Sequence, residues 1–311
     1  MKLSKLCKVG MSFLTKPYYR TRVLIKLGYY DSLSDEEFLK KVFPKYMGYP
    51  LDLENPKTFS EKLQWLKVNY RDPIQTVMVD KDEAKNFIAQ RVGEQYIIRT
   101  LAVWDSVEDI DFDALPNQFV LKCTHDSGGL VICKDKTKLD IEQSKKKISD
   151  SLSSNYYLRG REWPYKNVKR RVIAEEYMKE DASGWLTDYK FFCFNGEPKI
   201  VYISKDRSEN PHTDFFDMEF NHLDMRMKDP NSSNEQLPKK PARFNDMIEI
   251  AKALSKEIPH VRVDFYMVDD KIYVGELTFY HCGGFALITP EEWAKKMGDW
   301  IDLHLAWGCR H

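Results

Sequence analysis

Residues 260–280, HVRVDFYMVDDKIYVGELTFY, decide the fold. Two runs of alternating side chains flank Asp269-Asp270, the pattern of a β-hairpin. Arg262, Asp264 and Glu276 sit among Val, Phe, Tyr and Leu. A half-buried strand excludes unpaired charge, so these groups either pair with one another or hold something between them. Arg262 and Asp264 are two apart and share one strand face. Glu276 returns nearly opposite Asp264 if the loop has three residues, and a loop of two or four offsets the pair by one. Carboxylates facing each other across a ladder repel. A hard divalent cation relieves this, and Mg²⁺ takes one or two carboxylates plus phosphate oxygens and water. Arg262 then offers a fork to a phosphate or a developing negative charge. An ion pair of Arg262 with Asp264 or Glu276 on a wet sheet edge accounts for the same residues.

Three stretches upstream add chemistry. In FVLKCTHDSGGLVI, residues 119–132, Lys122 ends an apolar strand and a small-residue loop leads into another. Gly128 and Gly129, with Ser127, let backbone N–H groups approach an anion, with Lys122 as point charge. No GxxxxGK[ST] is present, and the loop joins strands, so this is not a Walker loop; an ordinary glycine turn fits too. RVIAEEYM, residues 171–178, is an apolar strand running into Glu175-Glu176, either leaving the core or forming a hinge that bonds a base and then a ribose. In TDYKFF, residues 187–192, Asp188 and Lys190 share a face, as a site or as an exposed pair.

The rest reads as α+β. Helices are expected within 31–75, where Ser34…Glu37 and Thr58…Glu61 form capping boxes, and over 80–92, 140–154 and 245–258. EQYIIRTLAVW reads as a strand, and Asn195-Gly196 suits a type I′ turn. Residues 204–242 carry four prolines and read as a long loop with a short strand inside. Thr289 as cap and Pro290 at the first position open a last helix.

Apolar residues at 42% exclude a disordered chain, and 48 basic against 48 acidic residues give no sign of a nucleic-acid partner. Six cysteines without a CxxC pair point away from a zinc site or disulfide framework and towards a reducing, cytoplasmic setting. The charge is uneven: Met1 to Tyr30 holds seven Lys or Arg and no acid. No run there approaches the ~20 residues of a membrane span. The segment is either a basic amphipathic element resting on an anionic membrane face or a solvated helix packed on the body.

Taken in order, these features resemble the ATP-grasp superfamily, and more closely its TupA-like branch, associated with teichuronopeptide and capsular polysaccharide synthesis. The match is carried by NPKTFSEKLQWLKVNYRDP, VDKDEAKNFIAQRVGEQYII, FVLKCTHDSGG, DYKFFCFNGEPK and RVDFYMVDDKIYVGELTFY, and spans roughly residues 45–290. The resemblance implies two α+β subdomains clasping ATP, with a helical N-terminal extension. It implies boundaries at 1–75, 76–180 (glycine loop and hinge) and 181–311 (metal hairpin). Lys81 and Lys122 would meet the phosphates, under the loop of Ser127, Gly128 and Gly129, with Lys190 also on the nucleotide. Glu175, Glu176, Tyr177 and Met178 would form the adenine hinge, with Asp181 on the ribose. Asp264, Glu276 and Thr278 would hold Mg²⁺; many ATP-grasp enzymes have Asn where Thr278 stands. Arg262, with Lys122, would act on the transferred phosphoryl group. Arg207, His281, Gly283 and Gly284 would face the substrate.

The implied reaction is ATP-dependent amide formation through an acylphosphate, with a carboxylate and an amine as partners and a cell-surface polysaccharide as product. Two other readings compete. One is a glycosyltransferase using a nucleotide sugar, with Asp269-Asp270 as metal motif. The other is a non-catalytic scaffold at the membrane.

Overall fold

The computed structural model describes residues 17–179, 186–205 and 211–309, so Asp181 and Arg207 lie outside the described residues. It is an α+β protein with two antiparallel sheets. The first sheet has the order β1 (Thr100–Trp104), β4 (Val172–Glu176), β2 (Phe119–Cys123), β3 (Leu130–Cys133). The second runs β7 (His212–Phe216), β6 (Glu197–Lys205), β5 (Asp188–Phe194), β8 (His260–Val268), β9 (Lys271–Thr278).

Strand alternation gives each sheet a core face and a cleft face. In the first sheet, Phe119, Leu121, Val131, Val172 and Ala174 pack with Ile148 of α6 (Ile141–Leu152). Val120, Lys122, Leu130, Ile132 and Glu175 therefore point the other way, and all five line a cleft. In the second sheet, Val261, Val263 and Phe265 join a larger core with α8 (Phe244–Ser255). Arg262, Asp264 and Tyr266 take the opposite face by the same alternation.

Among the described residues five helices precede the first sheet, the last four being α2 (Asp35–Met47), α3 (Phe59–Asn69), α4 (Ile74–Val79) and α5 (Glu83–Val92). A first helix, α1 (Pro17–Lys26), packs with α2 on a small separate cluster around Phe38, Leu39 and Phe43. Both expected capping boxes are present, on α2 at Ser34 and on α3 at Thr58. The short α7 (Tyr157–Gly160) lies between α6 and β4, and α9 (Glu291–Asp299) follows β9.

The structure corrects three local expectations. The helix anticipated from Asp80 starts at Glu83, because the Asp80 carboxylate accepts from the Asp82 and Glu83 N–H groups and holds residues 80–82 as a turn. EQYII is not strand: Gly93, at φ +113°, leads into a 3₁₀ turn at Glu94–Tyr96, and pairing with β4 begins only at Thr100. Thr289 does not cap the last helix, since its N–H and C=O are both paired with Arg226 and α9 begins at Glu291. The turn expected at Asp269 and Asp270 is present and exposed, with φ +49° and +58°, and the Asp270 carbonyl accepts from Arg243.

That turn has two residues, Val268 pairing with Lys271. Two residues should offset Asp264 from Glu276, yet the pair stands directly opposite. A bulge next to Asp264 on this ladder, with Gly275 as the extra residue of β9, restores the match. A Cβ on Gly275 would lie 2.7 Å from the Tyr266 ring.

Candidate functional site

The two sheets face each other across a cleft of about 680 Å³. That is the size range of small-molecule sites. Val120, Leu130, Ile132 and Met178 give it apolar walls, and Tyr266 closes it from the second sheet. Ile132 is 53% exposed and stands on the same wall as Val120 and Leu130, so the apolar face is open to the cleft. Glu176, Tyr177 and Met178, the expected hinge, run along the same cleft.

Its floor is ionic. Glu175 is 4% exposed, and its two oxygens take Lys85 at 2.7 Å and Lys122 at 2.5 Å. Burial works against its charge, but Lys122 and Lys85 outweigh it and hold the carboxyl below its usual range. Glu175 is thus placed as counter-ion to two lysines, on the wall of the cleft. Burial likewise lowers Lys81 and Lys85. Lys81 and Glu276 share the lining of a smaller gap with Lys85 and Glu175, which brings this floor against the hairpin. Lys85 was not singled out from the sequence. Its signal was there: it lies four residues after Lys81, one turn on in the helix expected from Asp80.

The glycine loop is anchored at its base. Lys81 Nζ donates to the Asp126 carbonyl, and the Asp126 carboxylate accepts from Ser151 Oγ and, at 3.2 Å, from the Gly129 N–H. Gly129 is buried, and a Cβ there would lie 2.5 Å from Cys123 Sγ. Its glycine is demanded by packing, and its N–H is already engaged. Ser127 and Gly128 form the exposed tip, where Ser127 Oγ lies 3.1 Å from the Tyr156 hydroxyl. His125 Nε2 lies 3.3 Å from the Ser154 carbonyl.

On the hairpin, Arg262 bridges both carboxylates. Its Nε and Nη2 donate to Asp264 at 2.6 and 2.7 Å, and Nη2 reaches Glu276 at 2.9 Å and Thr278 Oγ1 at 3.1 Å. Lys190, directly opposite Asp264 on β5, adds a bond of 2.6 Å. The charges at the centre of this hairpin therefore pair with one another. Asp264 is 1% exposed; burial alone would raise its carboxyl, but Arg262 and Lys190 bring it down to about 2. Arg262 Nη1 lies 2.6 Å from His281 Nδ1. A guanidinium has no lone pair to offer, so His281 accepts and its ring is neutral. Burial and then Arg262 push its pKa well below the usual value. His281 supports Arg262 from behind. Gly283 and Gly284 turn their carbonyls to α3, accepting from Lys67 and Gln64. Two further buried charges, Lys67 and Glu162, lie beside that loop. Nothing in their spacing signalled this.

Donor chemistry decides what could bind here. Among the described residues, no group of three or more His, Cys, Asp or Glu is placed to hold a metal. Asp264 already accepts from two cations. Glu276 has a side chain 42% exposed, with Thr278 Oγ1 at 3.0 Å. Hard oxygens in this small number suit Mg²⁺, completed by ligand oxygens and water. Three lysines at one end of an apolar cleft suit a nucleotide polyphosphate.

A family model described as TupA-like ATPgrasp matches residues 61–302. No curated protein matches the chain. Among solved structures, D-alanine–D-alanine ligase from Bacillus anthracis, complexed with ATP, is similar at 16% identity and TM-score 0.41, covering 73% of this chain and 63% of that one. The enzyme of the same name from Helicobacter pylori is similar at 13% identity and TM-score 0.39, covering 80% and 70%. ATP-grasp ligase PsnB, with minimal precursor, Mg and ADP, is similar at 12% identity and TM-score 0.38, covering 71% and 57%. The chain thus spans less than two thirds of the first of these ligases.

Proposed function

The chain belongs to the TupA-like ATP-grasp family, and from that premise we propose that it is an ATP-dependent carboxylate–amine ligase, joining an amino acid or other amine to a uronic-acid-containing cell-surface polysaccharide or its precursor. The observation that supports this most is the pairing, across one cleft, of a lysine-rich floor with a carboxylate-bearing hairpin. The polysaccharide half rests on the resemblance to the TupA-like branch.

ATP with Mg²⁺ would supply the phosphoryl group that turns a carboxylate into an acylphosphate open to amine attack. The protein's part is placement and charge. Val120, Leu130, Ile132 and Met178 offer the base an apolar slot beside the Glu176–Met178 backbone. Lys81 and Lys122 neutralise phosphates, and Glu175 holds Lys122 and Lys85 at fixed positions. Glu276 and Thr278, backed by Asp264, would hold the Mg²⁺. Arg262 keeps those three oxygens together and spares the Asp264–Glu276 repulsion. Fixed dipoles and charges of this kind need no rearrangement during reaction.

The test is the thermal shift of the purified protein with Mg-ATP, Mg-ADP and Mg-UDP-sugars, beside Lys122→Met and Glu276→Gln. A nucleotide at ~100 times its Kd stabilises by about 2.7 kcal/mol. An adenine-specific shift that both variants weaken is expected. ADP release should then depend on a uronic acid and an amino acid supplied together. A shift with UDP-sugars and none with adenine nucleotides sinks the ligase.

A further inference from the structure

The first helix carries a surface that the cleft does not use. Thr21, Leu24 and Ile25 of α1 turn inward, towards the cluster around Phe38 and Leu39. Tyr18, Arg22 and Lys26 recur one turn apart on the outward side and are exposed, as is Arg20. Gly28, at φ +75°, ends the helix, and the Tyr29 N–H returns to the Leu24 carbonyl. This turn puts Leu27 and Tyr29 into solvent at 75% and 65% exposure, the two most exposed large hydrophobic side chains among the described residues. Single exposed apolar residues are ordinary. Here two stand two residues apart in the chain, directly after a helix whose exposed side carries Arg22 and Lys26.

We propose that this face docks on an anionic lipid bilayer, Leu27 and Tyr29 entering the headgroup layer while Arg20, Arg22 and Lys26 meet the lipid phosphates. Charge complementarity selects this occupant. The first acid in the chain is Asp31, whose carboxylate folds back against Gly28. Among the described residues Arg20, Arg22 and Lys26 make no ion pair, and Arg22 contacts only the Tyr18 hydroxyl and ring. Tyrosine favours the headgroup level, where its ring is buried and its hydroxyl wet. No helix among the described residues is long and apolar enough to cross a membrane; the contact proposed is a peripheral one. Each basic residue at an anionic surface is worth about fivefold in affinity.

The experiment is co-sedimentation of the full chain with phosphatidylcholine vesicles, with and without phosphatidylglycerol, at two salt concentrations. Leu27→Asp/Tyr29→Asp and Arg22→Glu/Lys26→Glu are compared after thermal melts show that both fold. The parent should pellet only with the anionic vesicles, less at high salt, and each double variant should bind at least about fivefold more weakly. Three results overturn the proposal: no binding, or equal binding to uncharged vesicles; variants that fold and bind as the parent does, which moves the contact elsewhere; or a parent dimer that the variants split, which makes the tip an interface between copies.

Discussion

Asp264 is a carboxylate that water barely reaches, and Arg262 and Lys190, which outweigh that burial, set a pH dependence. Its folded-state pKa of about 2 lies below the unfolded value near 3.8. As pH falls, the unfolded chain takes up the proton first. Its stabilising contribution, about 2 kcal/mol, is therefore whole above pH ~4 and lost between roughly pH 4 and 2. A denaturation series across that window should show the loss, and Asp264→Asn should flatten it. That substitution leaves Arg262 and Lys190 facing a neutral group and should cost about 3–5 kcal/mol. Glu276→Gln, on a half-exposed side chain, should cost under about 1 kcal/mol while weakening nucleotide binding. The charges themselves were legible as an anomaly in a strand. Which of them pair was not, because Lys190 and His281 come from other elements and only the folded register brings them in.

Gly275 carries the register of the hairpin. Deleting it should remove the bulge and leave Glu276 still opposite Asp264, because Glu276 then takes the position that a two-residue turn pairs with Asp264. Inserting a second residue beside Gly275 should instead offset the pair by one and turn Glu276 to the other face of the sheet. The expected outcome is a deletion protein that keeps its Mg-nucleotide thermal shift and an insertion protein that has lost it, whereas an unchanged shift in the insertion protein would show that the carboxylate pairing is not needed. Ser34→Ala and Thr58→Ala should each cost about 1 kcal/mol in urea unfolding, since each hydroxyl closes a capping box. These boxes were readable because they are local in sequence, as was the Asn195-Gly196 turn, with φ +52° and +85°. The misread ends of elements have long-range causes. Thr289 is tied to Arg226, and the Ile97 segment bridges Val274, so tertiary partners override the local signal.

At the scale of the molecule, the sequence placed the two halves of the site on separate stretches, and the sheets bring them to one cleft. It did not foretell how firmly the N-terminal helices are bound to the far end of the chain. Ser60 donates to the Ala286 carbonyl, Lys62 to Ile301, Gln64 to Gly284, and Lys67 to Gly283. Lys67 is wholly buried, and burial pulls its pKa down. A chain ending after Tyr280 should leave Lys67 and Gln64 without these acceptors and should fail to give a cooperative melt. Those bonds also bear on biosynthesis. A ribosome makes α3 long before residues 283–301, so the nascent helix must wait, its lysine hydrated, until that distant stretch has emerged. Order of synthesis is thereby built into maturation: a stretch made much later supplies the carbonyls that let the early helix bury its charge.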